Sequence, residues 1–372
     1  TYTISSIDSN ATKVIFDAQS SNFTYGSVGS GSGSKVGNTV EITGWTGTSV
    51  TVTLTYTTAA TYSNRANVTS TSAAYTDSAW SSTDSIVISA SWAFGGTNSG
   101  FSSSGYATGS YYNTIDKFLF SSNTTATDHG DLTILCQSLA GHSSTTDGFT
   151  SGGGNSATIN TINKFAFSSN VTAADHGDLS VAREGIAGVS SSDKGFSAGG
   201  YPNQTVLDYW SFSSNTTATD HGDMSVNRYA TSGQSASDYG FCSGNNGTGT
   251  IDKFAYASNT TATNHGSLSV NRSWTTGHST PDYGWSAGGG GNSDVIDRFA
   301  FASNTTATDW GNLSQGRSVL AGQSSTDYGH MSGGSTGSYV NTIDKYAFAT
   351  SSDATDFGDL SVTRGHAAGQ QY

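Results

Sequence analysis

Ile115-Asp116-Lys117-Phe118, Ile162-Asn163-Lys164-Phe165, Leu207-Asp208-Tyr209-Trp210, Ile251-Asp252-Lys253-Phe254, Ile296-Asp297-Arg298-Phe299 and Ile343-Asp344-Lys345-Tyr346 are six renderings of one four-residue phrase. They follow one another at 47, 45, 44, 45 and 47 residues. A period of about 40 to 50 residues built from short strands marks the blade of a β-propeller.

Other elements keep a fixed place around that phrase. A Gly followed by a ring recurs at Gly100-Phe101, Gly148-Phe149, Gly195-Phe196, Gly240-Phe241, Gly284-Trp285 and Gly329-His330, and most copies run on to a Gly-rich stop such as Gly199-Gly200 or Gly333-Gly334. After the phrase comes a turn such as Ser122-Asn123-Thr124-Thr125, then Asp128-His129-Gly130-Asp131-Leu132 or its equivalent. Arg183, Arg228, Arg272, Arg317 and Arg364 then open a segment ending in small residues, and Cys136 holds that place once. Four strands per unit result: a (from the Arg), b (Gly-ring to Gly-Gly), c (the quoted phrase) and d (ending Gly-Asp-Leu). Alternation of Ile343, Lys345 and Ala347 with Asp344, Tyr346 and Phe348 suits a strand with two differently packed faces.

The strand count predicts how the ring closes. The first b strand, at Gly100, has no a strand before it that carries the Arg and the Ala-Gly-Gln pattern, and Arg364 to Gln370 has no blade after it. The C-terminal strand is expected to complete the first blade, removing a sheet edge that would invite aggregation. Ser85 to Phe94 is the alternative donor.

An Arg ahead of strand a, a Gly-Gly ending strand b and a short aromatic-bearing strand c resemble the kelch repeat. The resemblance spans residues 97–372, with six copies in register. It departs from kelch where the usual Trp of strand d is a His or another ring. It implies an all-β, six-bladed kelch-like β-propeller over 99–372. The Asp-His-Gly-Asp-Leu-Ser-Val run at 175–181 and its copies are similar to repeats in virion proteins of marine tailed phages. That second resemblance implies a non-enzymatic protein at the virion surface, outside the cell.

Composition fits such a chain. Of 372 residues 47 are Gly, two Pro, and 11% charged, against a usual charged share of about 25%. The 11% aromatic share and regular strand periods oppose disorder. No run of about 18 apolar residues spells a membrane span. Net charge is −13, of which the part after residue 83 carries about −12, and no basic run occurs. Nucleic acid and membrane insertion are therefore not expected. Cys136 and Cys242 fall in different blades and strand types, and read as buried thiols.

Residues 1–83 do not repeat. Thr12 to Asp17, Asn38 to Thr43 and Ser49 to Thr57 read as strands, and Gly26 to Gly37 as a Gly/Ser-rich loop. A small β-sandwich-like domain is expected there, anchoring the chain to other virion proteins, with 84–98 as linker.

Several groups of residues are candidates for chemistry. The Asp-His-Gly-Asp turns look like metal ligands, but Trp310 and Phe357 take the His position in later blades, which points to a packing ring. No metal and no cofactor are expected. Ser325-Thr326-Asp327-Tyr328-Gly329 resembles the Asp-box turn of sialidases, yet only Glu41 and Glu184 are glutamates, leaving paired-carboxylate chemistry to Asp. The Asn-X-Ser/Thr triplets at Asn123, Asn215, Asn259 and Asn304 read as turn chemistry.

The candidate ligand face lies where the d–a and b–c connections emerge. Its candidates are Arg183, Arg228, Arg272, Arg317 and Arg364, with Tyr106, Tyr111, Tyr112, Tyr201, Asn203 and Tyr339 of the divergent b–c loops. Fork donors beside Tyr rings suit a sugar or an acidic polymer. The bland readings are arginines paired with acids or blade carbonyls, and neutrally drifting loops. The expected function is multivalent attachment to host-surface carbohydrate, with many copies in one assembly. The alternatives are a decoration protein of capsid or tail, and an oxidase of the kelch class or a glycosidase, for which Cys136 holds an innermost-strand position.

Overall fold

The computed structural model describes residues 2–4, 13–17, 23–28, 32–36, 39–43, 50–56, 60–69, 84–88, 95–202, 205–245 and 248–372. Two compact units divide between Ser91 and Trp92.

In the first unit the strands are β1 (Tyr2–Ile4), β2 (Lys13–Asp17), β3 (Phe23–Val28), β4 (Ser32–Val36), β5 (Thr39–Thr43), β6 (Val50–Tyr56), β7 (Ala60–Thr69) and β8 (Asp84–Ile88). They form two antiparallel sheets, ordered β1-β6-β3 and β4-β5-β2-β7-β8. Two expectations are corrected here. The Gly/Ser-rich stretch expected as a loop supplies half of β3 and all of β4, because pairing of Ser32–Val36 with Thr39–Thr43 overrides weak intrinsic propensity. Asp84–Ile88, expected in the linker, pairs with β7 and belongs to this unit.

The second unit is a six-bladed propeller of four-stranded antiparallel sheets. Blade 1 holds β9 (Ser99–Ala107), β10 (Ser110–Leu119) and β11 (Thr127–Cys136). Blade 2 is β12 (Ala140–Ser143), β13 (Asp147–Ser151), β14 (Thr161–Ala166) and β15 (Ala174–Asp178). Blade 3 is β16 (Ala187–Ser190), β17 (Lys194–Ala198), β18 (Val206–Ser211) and β19 (Thr219–Asp223). Blade 4 is β20 (Ser232–Ser235), β21 (Tyr239–Asn245), β22 (Thr248–Ala255) and β23 (Thr263–Ser267). Blade 5 is β24 (Thr276–Ser279), β25 (Tyr283–Ala287), β26 (Val295–Ala300) and β27 (Thr308–Asn312). Blade 6 is β28 (Ala321–Ser324), β29 (Tyr328–Ser332), β30 (Thr342–Ala347) and β31 (Thr355–Asp359).

The C-terminal strand, β32 (Ala368–Gln371), is the innermost strand of blade 1, paired with β9 through Ala368↔Ser103 and Gln370↔Phe101. Of the alternative donor Ser85 to Phe94, the described residues 85–88 pair with β7 instead, and the rest lies outside the described residues.

The core lies between blades. Phe149 and Ile162 of blade 2 pack with Trp210 and Phe212 of blade 3, Phe149 stacking on Phe212 at 4.8 Å between ring centroids. Both faces of strand c are therefore buried. The second glycine of each Gly-Gly stop adopts a left-handed conformation (φ 109° at Gly153, 124° at Gly200). That turn aims its N–H at the carbonyl of the following repeat's Arg, 2.9 Å away for Gly153 on Arg183 and Gly200 on Arg228. Asn170, Asn215, Asn259 and Asn304 staple the c–d turns to the preceding blade, their side-chain amides donating hydrogen bonds to backbone carbonyls at 3.0 to 3.2 Å.

Close approach at the axis explains the Ala-Gly-Gln/His-Ser pattern of the inner strands. Gly141, Gly188, Gly233, Gly277, Gly322 and Gly369 form a ring in which each Cα faces the carbonyl of the preceding member, so a side chain on any one would collide. One residue further along, Gln234, Gln323 and Gln370 reach into the next blade, onto the carbonyls of Trp285, Phe101 and Phe149 at 2.9 to 3.2 Å. At the end of these strands the N–H groups of Ser143, Ser190, Ser235 and Ser279 donate to the next blade's Ser hydroxyl at 2.9 to 3.1 Å, and Gln371 donates to Ser143.

Candidate functional site on the b–c face

The arginines are not on the surface. Arg183, Arg228, Arg272, Arg317 and Arg364 are buried and pair with Asp208, Asp252, Asp297, Asp344 and Asp116 at 2.8 to 3.2 Å. The acid is the second residue of the opening phrase. Its carboxylate also receives the N–H of a d-strand Ser, as from Ser180 to Asp208 and Ser361 to Asp116. Arg183 donates further to the carbonyls of Gly199 and Ser197. A ligand on this face therefore meets no guanidinium; the arginines are scaffold because each is enclosed with an acid between blades. Blade 2 lacks both charges at once: Cys136 stands where Arg would, Asn163 stands where Asp would, and Thr133 holds the Asn.

The Asp-His-Gly-Asp histidines are packing rings with one added duty. His129, His176, His221 and His265 place Nε2 at 2.8 to 3.0 Å from the carbonyls of Ala166, Ser211, Ala255 and Ala300 in the next blade. A carbonyl can only accept, so these nitrogens carry the proton. Trp310 makes the same bond to Ala347 with its indole N–H. That is why His and Trp exchange at this position. Among the described residues no three His, Cys, Asp or Glu side chains gather as a metal-binding group. The sialidase-like turn closes on itself, Tyr328 N–H donating to Ser325 Oγ at 3.0 Å. Cys136 lies 3.4 Å from the Ser104 hydroxyl in an apolar cluster, and burial pushes its thiol pKa up.

The centre of the b–c face is built by backbone. Ser138, Gly185, Ala230, Trp274, Val319 and His366, at equivalent places just before each inner strand, all have φ between 56° and 65°. Five are not glycine, and each left-handed residue costs about 1–2 kcal/mol. What holds them is a closed cycle. Each N–H donates to the carbonyl of the preceding member: Gly185 to Ser138, Ala230 to Gly185, Trp274 to Ala230, Val319 to Trp274, His366 to Val319 and Ser138 to His366, at 2.7 to 3.1 Å.

This turn throws the side chains over the mouth of the axis. Trp274 extends across it, close enough to Gly185 that a side chain there would touch the indole, and its ring meets His366 edge-on at 5.0 Å. Beneath the indole an axial cavity of about 150 Å³ runs toward the Ser ring.

Trp274 continues outward into more rings. Tyr229 lies 6.3 Å from it and Tyr201 6.1 Å from Tyr229, centroid to centroid. On the other side of His366, Tyr339 packs against Gly365; Tyr106 lies 5.7 Å from Tyr339 and Tyr111 5.2 Å from Tyr106. Tyr201 is 51% exposed and the other rings are half-buried, each with part of its surface open to solvent. The result is a track of two runs, four rings from Tyr201 to His366 and three from Tyr339 to Tyr111, which meet at the Gly365-His366 backbone.

Of the sequence candidates, the structure gathers Tyr106, Tyr111, Tyr201 and Tyr339 on this track. Tyr112 sits opposite Cys136 in β10, outside it, and Asn203 lies outside the described residues. Sequence reasoning missed Tyr229, Trp274, His366 and Glu184. Tyr229 and Glu184 each follow a repeat Arg directly, which is the signal that could have found them.

The electrostatics of the face are those of a neutral to acidic surface. Burial lowers His366 to a pKa of about 4, so its ring is neutral at pH 7; Nδ1 lies 2.9 Å from the Ser138 hydroxyl. Glu184 is half-buried against Gly154, and burial raises its carboxyl pKa.

Three further histidines are buried in the blades. Desolvation lowers His142 and His278 to about 4 and His330 to about 3. The unfolded chain, with His near 6.5, then binds more protons than the folded one below that pH. Stability should be full above about pH 6.5, decline as pH falls at about 1.4 kcal/mol per pH unit for each His, ease below about pH 4 and level off below about pH 3, where His330 protonates. Gln occupies the place of His142 and His278 in three other blades. The variant His142→Gln with His278→Gln should flatten the decline between pH 6.5 and 4 in urea unfolding. An unchanged slope would show that these rings do not govern it.

The geometry defines a class: a closed six-bladed β-propeller with an axial mouth capped by aromatic side chains. No protein-family model matches the chain, and no curated protein is similar to it at a meaningful level.

Proposed function

We propose that the propeller is a non-catalytic carbohydrate-binding module, and that the aromatic track on the b–c face is its site. The observation that carries this reading is a pair of ring runs on one face, Tyr201-Tyr229-Trp274-His366 and Tyr339-Tyr106-Tyr111, which approach each other where Tyr339 packs on Gly365 beside His366. Sugar rings stack their C–H faces on aromatic planes, and an amphipathic Tyr offers a hydroxyl at the edge. Chain entry is compatible with display: residues 95–98 join the propeller on the opposite face, where Gly96 N–H donates to Ser324 and Asn98 N–H to Tyr372.

The biological setting we propose is attachment of a virus particle to its host, with the N-terminal unit held by other virion proteins and weak sites made effective by many copies. That setting is supported by the resemblance of the Asp-His-Gly-Asp-Leu-Ser-Val runs to phage virion repeats, and the kelch-like repeat supports the scaffold role of the blades.

Trp274→Ala should cut binding of the purified protein to host-surface polysaccharide about thirtyfold, the equivalent of about 2 kcal/mol for a central aromatic anchor. Its circular dichroism and unfolding midpoint should stay close to those of the parent. Binding that survives Trp274→Ala and Tyr201→Ala unchanged would move the site elsewhere, and a protein that binds only virion subunits would make it a decoration protein.

A further inference from the structure

Resting on that carbohydrate reading, we infer that the track selects linear, uncharged polysaccharides and rejects polyanions. The sequence alone left both open, because five recurrent arginines beside Tyr rings suit an acidic polymer. The ion pairs remove them from consideration, since each guanidinium faces a carboxylate inside the propeller.

The remaining bases of the propeller are elsewhere. Lys117, Lys164, Lys194, Lys253, Arg298 and Lys345 lie over rings on the blade flanks, near the strand ends of the a–b face. Among the described residues the b–c face thus carries no unpaired cation, while Glu184 borders the track and Asp294 is exposed in the b–c loop of blade 5. His366 stays neutral until well into acid. A phosphorylated, sulfated or uronic chain would lose hydration and gain no counter-charge, and at Glu184 it would be repelled.

Shape adds the linear preference. The rings form a path across the face rather than a pit, with centroid steps between 5.0 and 6.3 Å on both sides of the axis. Such steps are comparable with the length of one pyranose in an extended chain; the rings are inclined at 56° to 80° to one another, so successive sugars would meet a face and an edge in turn. The Trp274 indole closes the axis, which keeps the chain on the surface.

Affinity electrophoresis and calorimetry on the full chain would compare dextran, mannan and agarose-type galactan with heparin and alginate, at low and high salt. At least one neutral polymer should bind with affinity indifferent to salt, and Trp274→Ala and Tyr201→Ala should weaken it about tenfold or more. Heparin and alginate should not bind, and Glu184→Gln should weaken the neutral polymer several-fold by exchanging one charged acceptor oxygen for an amide NH2. Salt-sensitive binding of heparin or alginate that requires Trp274 would overturn the inference and leave the carbohydrate site standing. Neutral binding indifferent to Trp274 and Tyr201, or no binding to any of the five polymers, would overturn the site and the inference together.

Discussion

A chain ending at residue 363 is expected to lose the cooperative unfolding of the propeller and to aggregate. The missing residues carry Arg364, which is the only base paired with the buried Asp116 among the described residues. Removing one partner of such a pair costs about 3–5 kcal/mol, because a charge is left without a counter-charge in a dry site. The same residues supply β32, so β9 would present a bare inner edge. They also supply His366, without which the left-handed cycle loses two of its six hydrogen bonds, and Gln370, whose amide reaches Phe149 of the next blade. Against a total stability of about 5–15 kcal/mol these losses are decisive. Thermal unfolding with light scattering would test it. A truncated chain that melts at the parental temperature as a monomer would refute closure by the C-terminal strand.

The second large effect concerns the interblade charge pairs. Arg183→Met alone leaves Asp208 buried with only Ser180 to hold it, and Asp208→Asn alone leaves the Arg183 charge without its carboxylate. Each single change should cost about 3–5 kcal/mol. The double variant should be more stable than either single one, with a coupling energy of about 2–3 kcal/mol in a double-mutant cycle from urea unfolding. Part of the cost should remain, since Arg183 also donates to the carbonyls of Gly199 and Ser197. The chain itself is the precedent: the second repeat has Cys136, at the end of β11, and Asn163 in these places, and its blade forms the same four-stranded sheet. Additive losses would mean that Arg183 acts through those carbonyls and not through the acid.

The repeats made the blades legible because each recurrent residue meets a partner at fixed register. Gly148 lies across from Phe165 and Ser151 across from Ile162, so strands b and c could be paired by eye. Closure was legible because an unmatched strand at each end is a count. The Arg positions stayed open to two readings, surface donors or buried partners of an acid, because the partner stands about 25 residues on, in the opening phrase; the ion pairs bear out the second. The joint loss of Arg and Asp in blade 2 was the readable sign.

The centre of the site was least legible. Ser138, Gly185, Ala230, Trp274, Val319 and His366 share a backbone conformation and nothing else, so no residue type marks the position. Only the closed cycle of hydrogen bonds reveals that Trp274 is aimed at the axis.

The glycine ring sets a limit on how such a chain can change. Near-identical repeats invite the loss or gain of a whole unit, and a copy fewer would still satisfy every strand, turn and cap. Yet the six inner strands already touch backbone to backbone, with no atom left to remove from Gly141, Gly188, Gly233, Gly277, Gly322 or Gly369. A five-unit relative would have to crowd that contact further, and a seven-unit one would open it and break the cycle around Trp274. The blade number is thus held by the narrowest point of the molecule, whatever freedom the repeat has along the sequence.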